Sequence, residues 1–190
     1  INITKSKKNI LNFLYEKKLI LIKNLLNVSK IHNSKKINSL VLLNYSQELK
    51  YFMLWCQQLI AESLGKNGKG KVPLVSVGPR DHHSLLQLYL DGPKDNFFYI
   101  FSLKVEKKKK NKGLFINALN NTSMGELLEN QKNAIISLFK TKKIPFLSIE
   151  IKKKNEETLG ELFSYFILET IFLAENLKIN PFNQPCCRAN

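Results

Sequence analysis

Four short apolar runs constrain what this chain can fold into: Ser39-Leu-Val-Leu-Leu-Asn-Tyr45, Val72-Pro-Leu-Val-Ser-Val77, Phe97-Phe-Tyr-Ile-Phe-Ser-Leu103 and Pro145 to Ile151. Each is too short for a buried helix and too continuous for a strand with one face in water. Successive side chains of a strand point to opposite faces, so a run that is apolar throughout is covered on both sides, as in a parallel sheet. Helical patterns separate the runs. Ser46 reads as the N-cap of a helix with Leu49, Phe52, Met53, Leu59 and Ile60 on its apolar face, ending near Leu64 where Gly65 stops it. A second helix runs from His82 to about Leu90 and is closed by Asp91-Gly-Pro93. Ser123 and Glu126 form a capping box for a third, ending near Thr141, and Glu156 to Leu177 predicts a long amphipathic fourth. This alternation predicts an α/β fold, a parallel sheet flanked by helices on both faces. Residues 1–38 carry looser helical spacing and read as a lead-in or connector, residues 39–180 as the α/β domain and residues 181–190 as a tail.

Charge raises a second question. The chain of 190 residues has a net charge of +15, which ordinarily raises nucleic acid or an anionic membrane as a partner. Of its 30 basic residues, all but Arg80 and Arg188 are Lys. Base edges and phosphates are read preferentially by the planar guanidinium fork, so the composition argues against a nucleic-acid reader. Membrane insertion is also disfavoured, because the apolar stretch around Phe163 to Ala174 is short and is interrupted by Glu169. Lysines break every apolar stretch near Ile1, so no signal peptide is expected, and the opening reads as mid-protein sequence. Cys56, Cys186 and Cys187 form no C-x-x-C pair and no zinc-type spacing, which points to a reducing, cytoplasmic setting without a metal centre.

Ligands of open α/β sheets bind outside the carboxyl ends of the strands, and two segments stand out on that basis. In Ala61-Glu-Ser-Leu-Gly-Lys66 a carboxylate lies at a helix end whose dipole opposes negative charge, beside a Gly-rich turn. The plainer reading pairs Glu62 with Lys66 at i,i+4. In Gly78-Pro-Arg-Asp-His-His-Ser84, two of the three histidines stand at a helix start just after a buried strand, where an imidazole can exchange protons near neutral pH. For His82 a capping or packing role is preferred. Gly65 to Gly70 follows a helix rather than a strand, the reverse of a P-loop, and reads as a mobile connector.

Three blocks, Trp55-Cys-Gln-Gln-Leu-Ile-Ala-Glu-Ser-Leu-Gly-Lys66, Asp81-His-His-Ser-Leu-Leu-Gln-Leu-Tyr-Leu-Asp-Gly-Pro93 and Ile179-Asn-Pro-Phe-Asn-Gln-Pro185, resemble signature segments of the glucose-6-phosphate isomerase family, in family order. The resemblance covers residues 39–185 and implies the second of two sugar-isomerase (SIS-like) domains, in the C-terminal part of an enzyme of glycolysis and gluconeogenesis. It implies that Glu62 matches the general base of cis-enediol proton transfer between glucose 6-phosphate and fructose 6-phosphate. His83 matches the histidine that assists ring opening and comes from the neighbouring subunit of a homodimer, and Gln184 a glutamine near the substrate phosphate. A positioned carboxylate can move a proton between adjacent carbons with no metal or cofactor. The resemblance also places a phosphate-gripping loop and an Arg in an earlier domain. A sugar-phosphate-binding regulatory domain of the same fold is the alternative, and retention of both Glu62 and His83 argues for the enzyme.

The tail departs from the family. Asn183 stands where Asp is usual, and Cys186-Cys-Arg-Ala-Asn190 replaces an Ala/Gly-Val-Glu continuation that leads to a catalytic Lys expected just past Asn190. The codons TGC TGT AGA GCA AAT encode these five residues, and read one base later they give Ala-Val-Glu-Gln. The expectation is a one-base frame error near codon 185, which leaves this chain a catalytically incomplete portion. Sequencing the locus checks it: the bases under residues 186–190 spell Ala-Val-Glu in an adjacent frame, or the tail is authentic divergence.

Overall fold

A computed structural model of the chain describes residues 11–12, 15–16, 18–104 and 123–185. The Lys107 to Lys112 loop and the Cys186 to Asn190 tail lie outside the described residues. In chain order the elements are α1 (Lys18–His32), β1 (Ser39–Asn44), α2 (Lys50–Leu64), β2 (Val72–Val77), α3 (Arg80–Asp91), β3 (Asn96–Leu103), α4 (Met124–Thr141), β4 (Phe146–Ile151) and α5 (Glu156–Leu177). The four strands form one parallel sheet in the order β2-β1-β3-β4. Ser39 is in register with Val72 on one side and Asn96 on the other, and Phe98 is in register with Phe146. Among the described residues, no helix is long and apolar enough to cross a membrane.

The period of two divides β1 and β3 between two cores. Leu40 and Leu42, with Phe97, Tyr99 and Phe101, meet Val28 of α1, Phe52, Met53, Cys56 and Ile60 of α2, and Phe166 and Leu173 of α5. Val41 and Leu43, with Phe98 and Ile100, meet Tyr89 of α3 and Ile135 and Phe139 of α4. The predicted three-layer α/β arrangement is therefore present, with three helices on one face and two on the other. Pro73 sits on edge strand β2, the position at which a missing N–H is tolerated, and its carbonyl accepts from Gln57 Nε2 of α2 at 2.9 Å.

Helix starts follow local chemistry, with one correction. The Ser123–Glu126 capping box is formed, and Asn155 caps α5 by accepting from the Thr158 N–H. Ser46 does not cap a helix N–H; its hydroxyl donates to Glu48, and a 3-10 turn over Gln47–Leu49 precedes α2. The preceding Asn44 secures this exit from β1, its side chain both donating to the Ser46 carbonyl and accepting from the Ser46 N–H.

Glu169 and His32 are among the titratable groups buried in the interior. Glu169 is fully enclosed, with Oε1 accepting from the Tyr99 hydroxyl at 2.8 Å, and burial pushes its carboxyl up from 4.5 to about 7. His32 is buried at the end of α1, with neither ring nitrogen hydrogen-bonded among the described residues. Burial, aided by nearby Lys71, pushes its imidazole down from 6.5 to about 4. Their linkage has opposite signs. Between pH 4.5 and 7 the folded chain keeps a Glu169 proton that the unfolded chain has lost, so this group's stabilisation falls as pH rises. Between pH 4 and 6.5 the unfolded chain holds a His32 proton that the folded one lacks, so that contribution rises with pH. The two slopes oppose each other where they overlap. Glu169→Gln therefore leaves stability rising with pH between about 5 and 6.5, and His32→Gln leaves it falling, each by up to about 1.4 kcal/mol per pH unit. Urea midpoints of both variants across that interval check the signs.

Candidate functional site

The chain places its candidate residues at opposite edges of the sheet. Helix α2 returns antiparallel to β1, so its last turn, which carries Glu62, lies at the edge where the strands begin. Helix α3 starts at the end of β2, so His83 in its first turn lies at the edge where the strands finish. Six-residue strands separate these edges by roughly 20 Å at about 3.3 Å per residue. The expectation that both segments flank the carboxyl ends of the strands therefore holds for His83 and fails for Glu62. Helix starts follow the carboxyl ends of the strands, whereas Glu62 stands at a helix end, on the opposite side.

Glu62 is exposed, and both its oxygens are engaged. Oε1 accepts from Gln58 Nε2, one turn earlier, at 2.9 Å. Oε2 accepts from Gln184 Nε2, 122 residues away in sequence, at 3.2 Å. The first and third sequence blocks thus meet at one carboxylate. Gln58 was not singled out from sequence, although the i,i+4 spacing of Gln58 and Glu62 was available as a signal. Lys66 is not the partner of Glu62 that this same spacing suggested. Its ammonium, on a residue only 7% exposed, donates to the Asn180 carbonyl at 2.8 Å. Lys69 Nζ donates to the Leu177 carbonyl at 2.6 Å, so the Gly65 to Gly70 segment is tied to the end of α5 rather than being a free connector. Gly70 has φ +93°, and a Cβ there would stand 2.7 Å from the Leu64 carbonyl oxygen, so this tight return needs glycine.

At the other edge, Asp81 organises the turn between β2 and α3. Its carboxylate accepts from the Val77 N–H at 2.7 Å, the Ser76 hydroxyl at 3.1 Å and Arg80 Nε at 2.7 Å. The Arg80 hydrogen bond, with those from Val77 and Ser76, holds this carboxyl below its ordinary range despite its burial. His82 is half-buried, with Nε2 2.5 Å from the Tyr45 hydroxyl, and burial lowers its pKa. His83, next in sequence, is exposed. Gly78 lets the turn pass Tyr45, because a Cβ there would stand 2.6 Å from the ring.

The point at which the sheet changes winding direction, between β1 and β3, does hold a crevice of about 610 Å³. Its lining includes Ser46, Ser102, Lys104 and the buried Lys132, but neither Glu62 nor His83. The Glu126 carboxylate already accepts from Ser123 at the adjoining start of α4, and Lys132 lies 3.6 Å from Glu150.

No family model matches the chain. It is 35% identical over 150 residues to the glucose-6-phosphate isomerase of Methanocaldococcus jannaschii, covering 76% of this chain and 37% of that enzyme. With the glucose-6-phosphate isomerase of Mycoplasmopsis synoviae it shares 35% identity over 162 residues, covering 82% of this chain and 38% of that enzyme. Over three quarters or more of its length the chain is a homologue of enzymes named glucose-6-phosphate isomerase. It spans little more than a third of the length of these curated relatives. A hypothetical protein from Thermus thermophilus shares the fold with a TM-score of 0.79 at 22% identity, covering 96% of this chain and 45% of that one. A glucose-6-phosphate isomerase from Chlamydia trachomatis superposes with a TM-score of 0.62 at 20% identity, over 77% of this chain and 32% of that one. These two matches show the fold alone.

The Asp81 network yields a direct test. Asp81→Asn removes the charge while keeping the side chain's size, and is expected to cost roughly 1–3 kcal/mol. Faster hydrogen exchange at the Val77 amide, with β1 and β3 amides unchanged, would mark the loss as local to the turn presenting His83.

Proposed function

We propose that this chain is the portion of a glucose-6-phosphate isomerase that supplies the proton-transfer base and the ring-opening histidine. The reaction interconverts glucose 6-phosphate and fructose 6-phosphate in the cytoplasm, as a step of glycolysis and gluconeogenesis. The observation that carries the reading is the Gln184–Glu62 hydrogen bond at 3.2 Å, which joins two of the three family-like blocks at one carboxylate. With Gln58 on the other oxygen, that carboxylate is held in a fixed orientation while remaining open to solvent. Such a base can take the proton from C2 of the open-chain sugar and return it at C1 through a cis-enediol, a transfer that needs neither metal nor cofactor. Gln184, beside the base, would also meet the substrate near its phosphate.

His83 belongs to the same reaction but not to the same copy. A sugar phosphate cannot bridge the roughly 20 Å set by a six-residue strand. In a homodimer, His83 of one copy would complete the site built on Glu62 of the other, and open the sugar ring by moving a proton between the ring oxygen and the C1 hydroxyl. An exposed imidazole at the start of α3 suits that task.

Mixing variants tests the shared site. In the complete isomerase, Glu62→Gln and His83→Ala each lower turnover by roughly 10²–10⁴, the range that positioned proton transfer contributes. When the two variants are dissociated together and reassembled, half the dimers are mixed and each mixed dimer regains one intact site. Turnover should return to about a quarter of the unmutated level, as two-fold symmetry requires. No recovery between two inactive variants would mean that both residues act within one copy. His83→Ala should also spare an open-chain substrate relative to the cyclic one.

A further inference from the structure

Three side-chain links join the end of α2 and its loop to the end of α5 and the residues that follow: Glu62 to Gln184, Lys66 to Asn180 and Lys69 to Leu177. They share one register. Moving four residues along the first segment, from Glu62 to Lys66, moves four residues back along the second, and the three residues to Lys69 are again matched by three. Residues 62–69 and 177–184 thus lie side by side in opposite directions, linked by side chains instead of a backbone ladder.

We propose that Lys66 is a positioning residue, the fixed centre of this clasp, which holds Gln184 against Glu62. The role rests on the reading of Glu62 as the base. Burying an ammonium is unfavourable unless its donors are used, so a lysine only 7% exposed has strong cause to keep the 2.8 Å bond to the Asn180 carbonyl. That carbonyl lies two residues beyond Lys178, whose φ of 52° and ψ of 53° end α5 in a left-handed turn. The Leu177 carbonyl taken by Lys69 is the last of α5 itself, where helix-end carbonyls favour a cation. The Asn180 side chain accepts from the Phe182 N–H at 2.8 Å and sets the next turn, which delivers Gln184. Lys66 pins the backbone, Asn180 directs the chain, and Gln184 arrives at the carboxylate. Lys69, which is exposed, reinforces the far end of the clasp.

Hydrogen exchange read by mass spectrometry on the 190-residue chain tests the clasp without any assay of activity. Lys66→Met should speed exchange in residues 177–185 by about tenfold or more, the scale of a lost charge-assisted hydrogen bond. Exchange in β1 and β3 should stay unchanged, and Lys66→Arg should remain within about threefold of the unmutated chain. Lys66→Gln supplies the same comparison if Lys66→Met does not fold. Unchanged exchange in residues 177–185 overturns the clasp. In the complete isomerase, Lys66→Met should lower kcat roughly 10–100-fold with KM changed less than about threefold, and Lys66→Arg should restore most of it. Faster exchange with an unaltered kcat, alongside a kcat lost in Glu62→Gln, overturns the positioning role and leaves the isomerase reading standing. An unaltered kcat in Glu62→Gln removes that reading and the positioning role with it, while the exchange data still judge the clasp.

Discussion

Everything in this fold hangs on β1, a six-residue strand with a parallel partner on each side and an apolar layer on each face. Leu40, Val41, Leu42 and Leu43 are all at most 2% exposed, and they alternate between the two cores. One strand therefore sets the position of both helical layers. A polar residue at any of these four positions would be enclosed in one core or the other without water to bond to, so the pattern leaves little freedom. The exits from the sheet, fixed by the Asn44 side chain at one strand and by Asp81 at the next, then determine which way each helix sets off.

The same sheet also separates the two candidate groups. Its thickness along the strands keeps the Glu62 edge and the His83 edge apart within a chain, while its rigidity fixes each presenting turn. A carboxylate steadied by two carboxamides and an imidazole presented by a carboxylate-bound turn are independent local constructions. Either can be weakened without the other, because no hydrogen bond among the described residues joins the two.

Most of the architecture was legible because period-two apolar runs and helix caps are local signals. The four strands, the Ser123–Glu126 box and the long α5 follow from residues within a few positions of one another. Ser46 misled because its hydroxyl serves Glu48 instead of a helix N–H, a choice that sequence spacing does not reveal. Lys66 misled for a longer-range reason: the i,i+4 rule offered it Glu62, but the end of α5 comes close enough to claim it. Nothing local to residues 61–70 announces a partner more than a hundred positions away. The placement of Glu62 at the far edge, by contrast, could have been deduced, since a helix returning from a strand must end where that strand began.

The strand order also governs how the molecule must be made. Because β1 comes first in the sheet yet occupies its interior, it waits for partners synthesised later. Its register with β2 spans 33 positions and its register with β3 spans 57. Contacts of such separation carry a large loop-closure cost before they give any return, which slows folding. A nascent chain emerging from the ribosome therefore exposes Leu40 to Leu43 as a bare, strongly apolar template until Phe97 to Phe101 has been synthesised. The segment that organises the finished fold is, for that interval, its greatest hazard for aggregation.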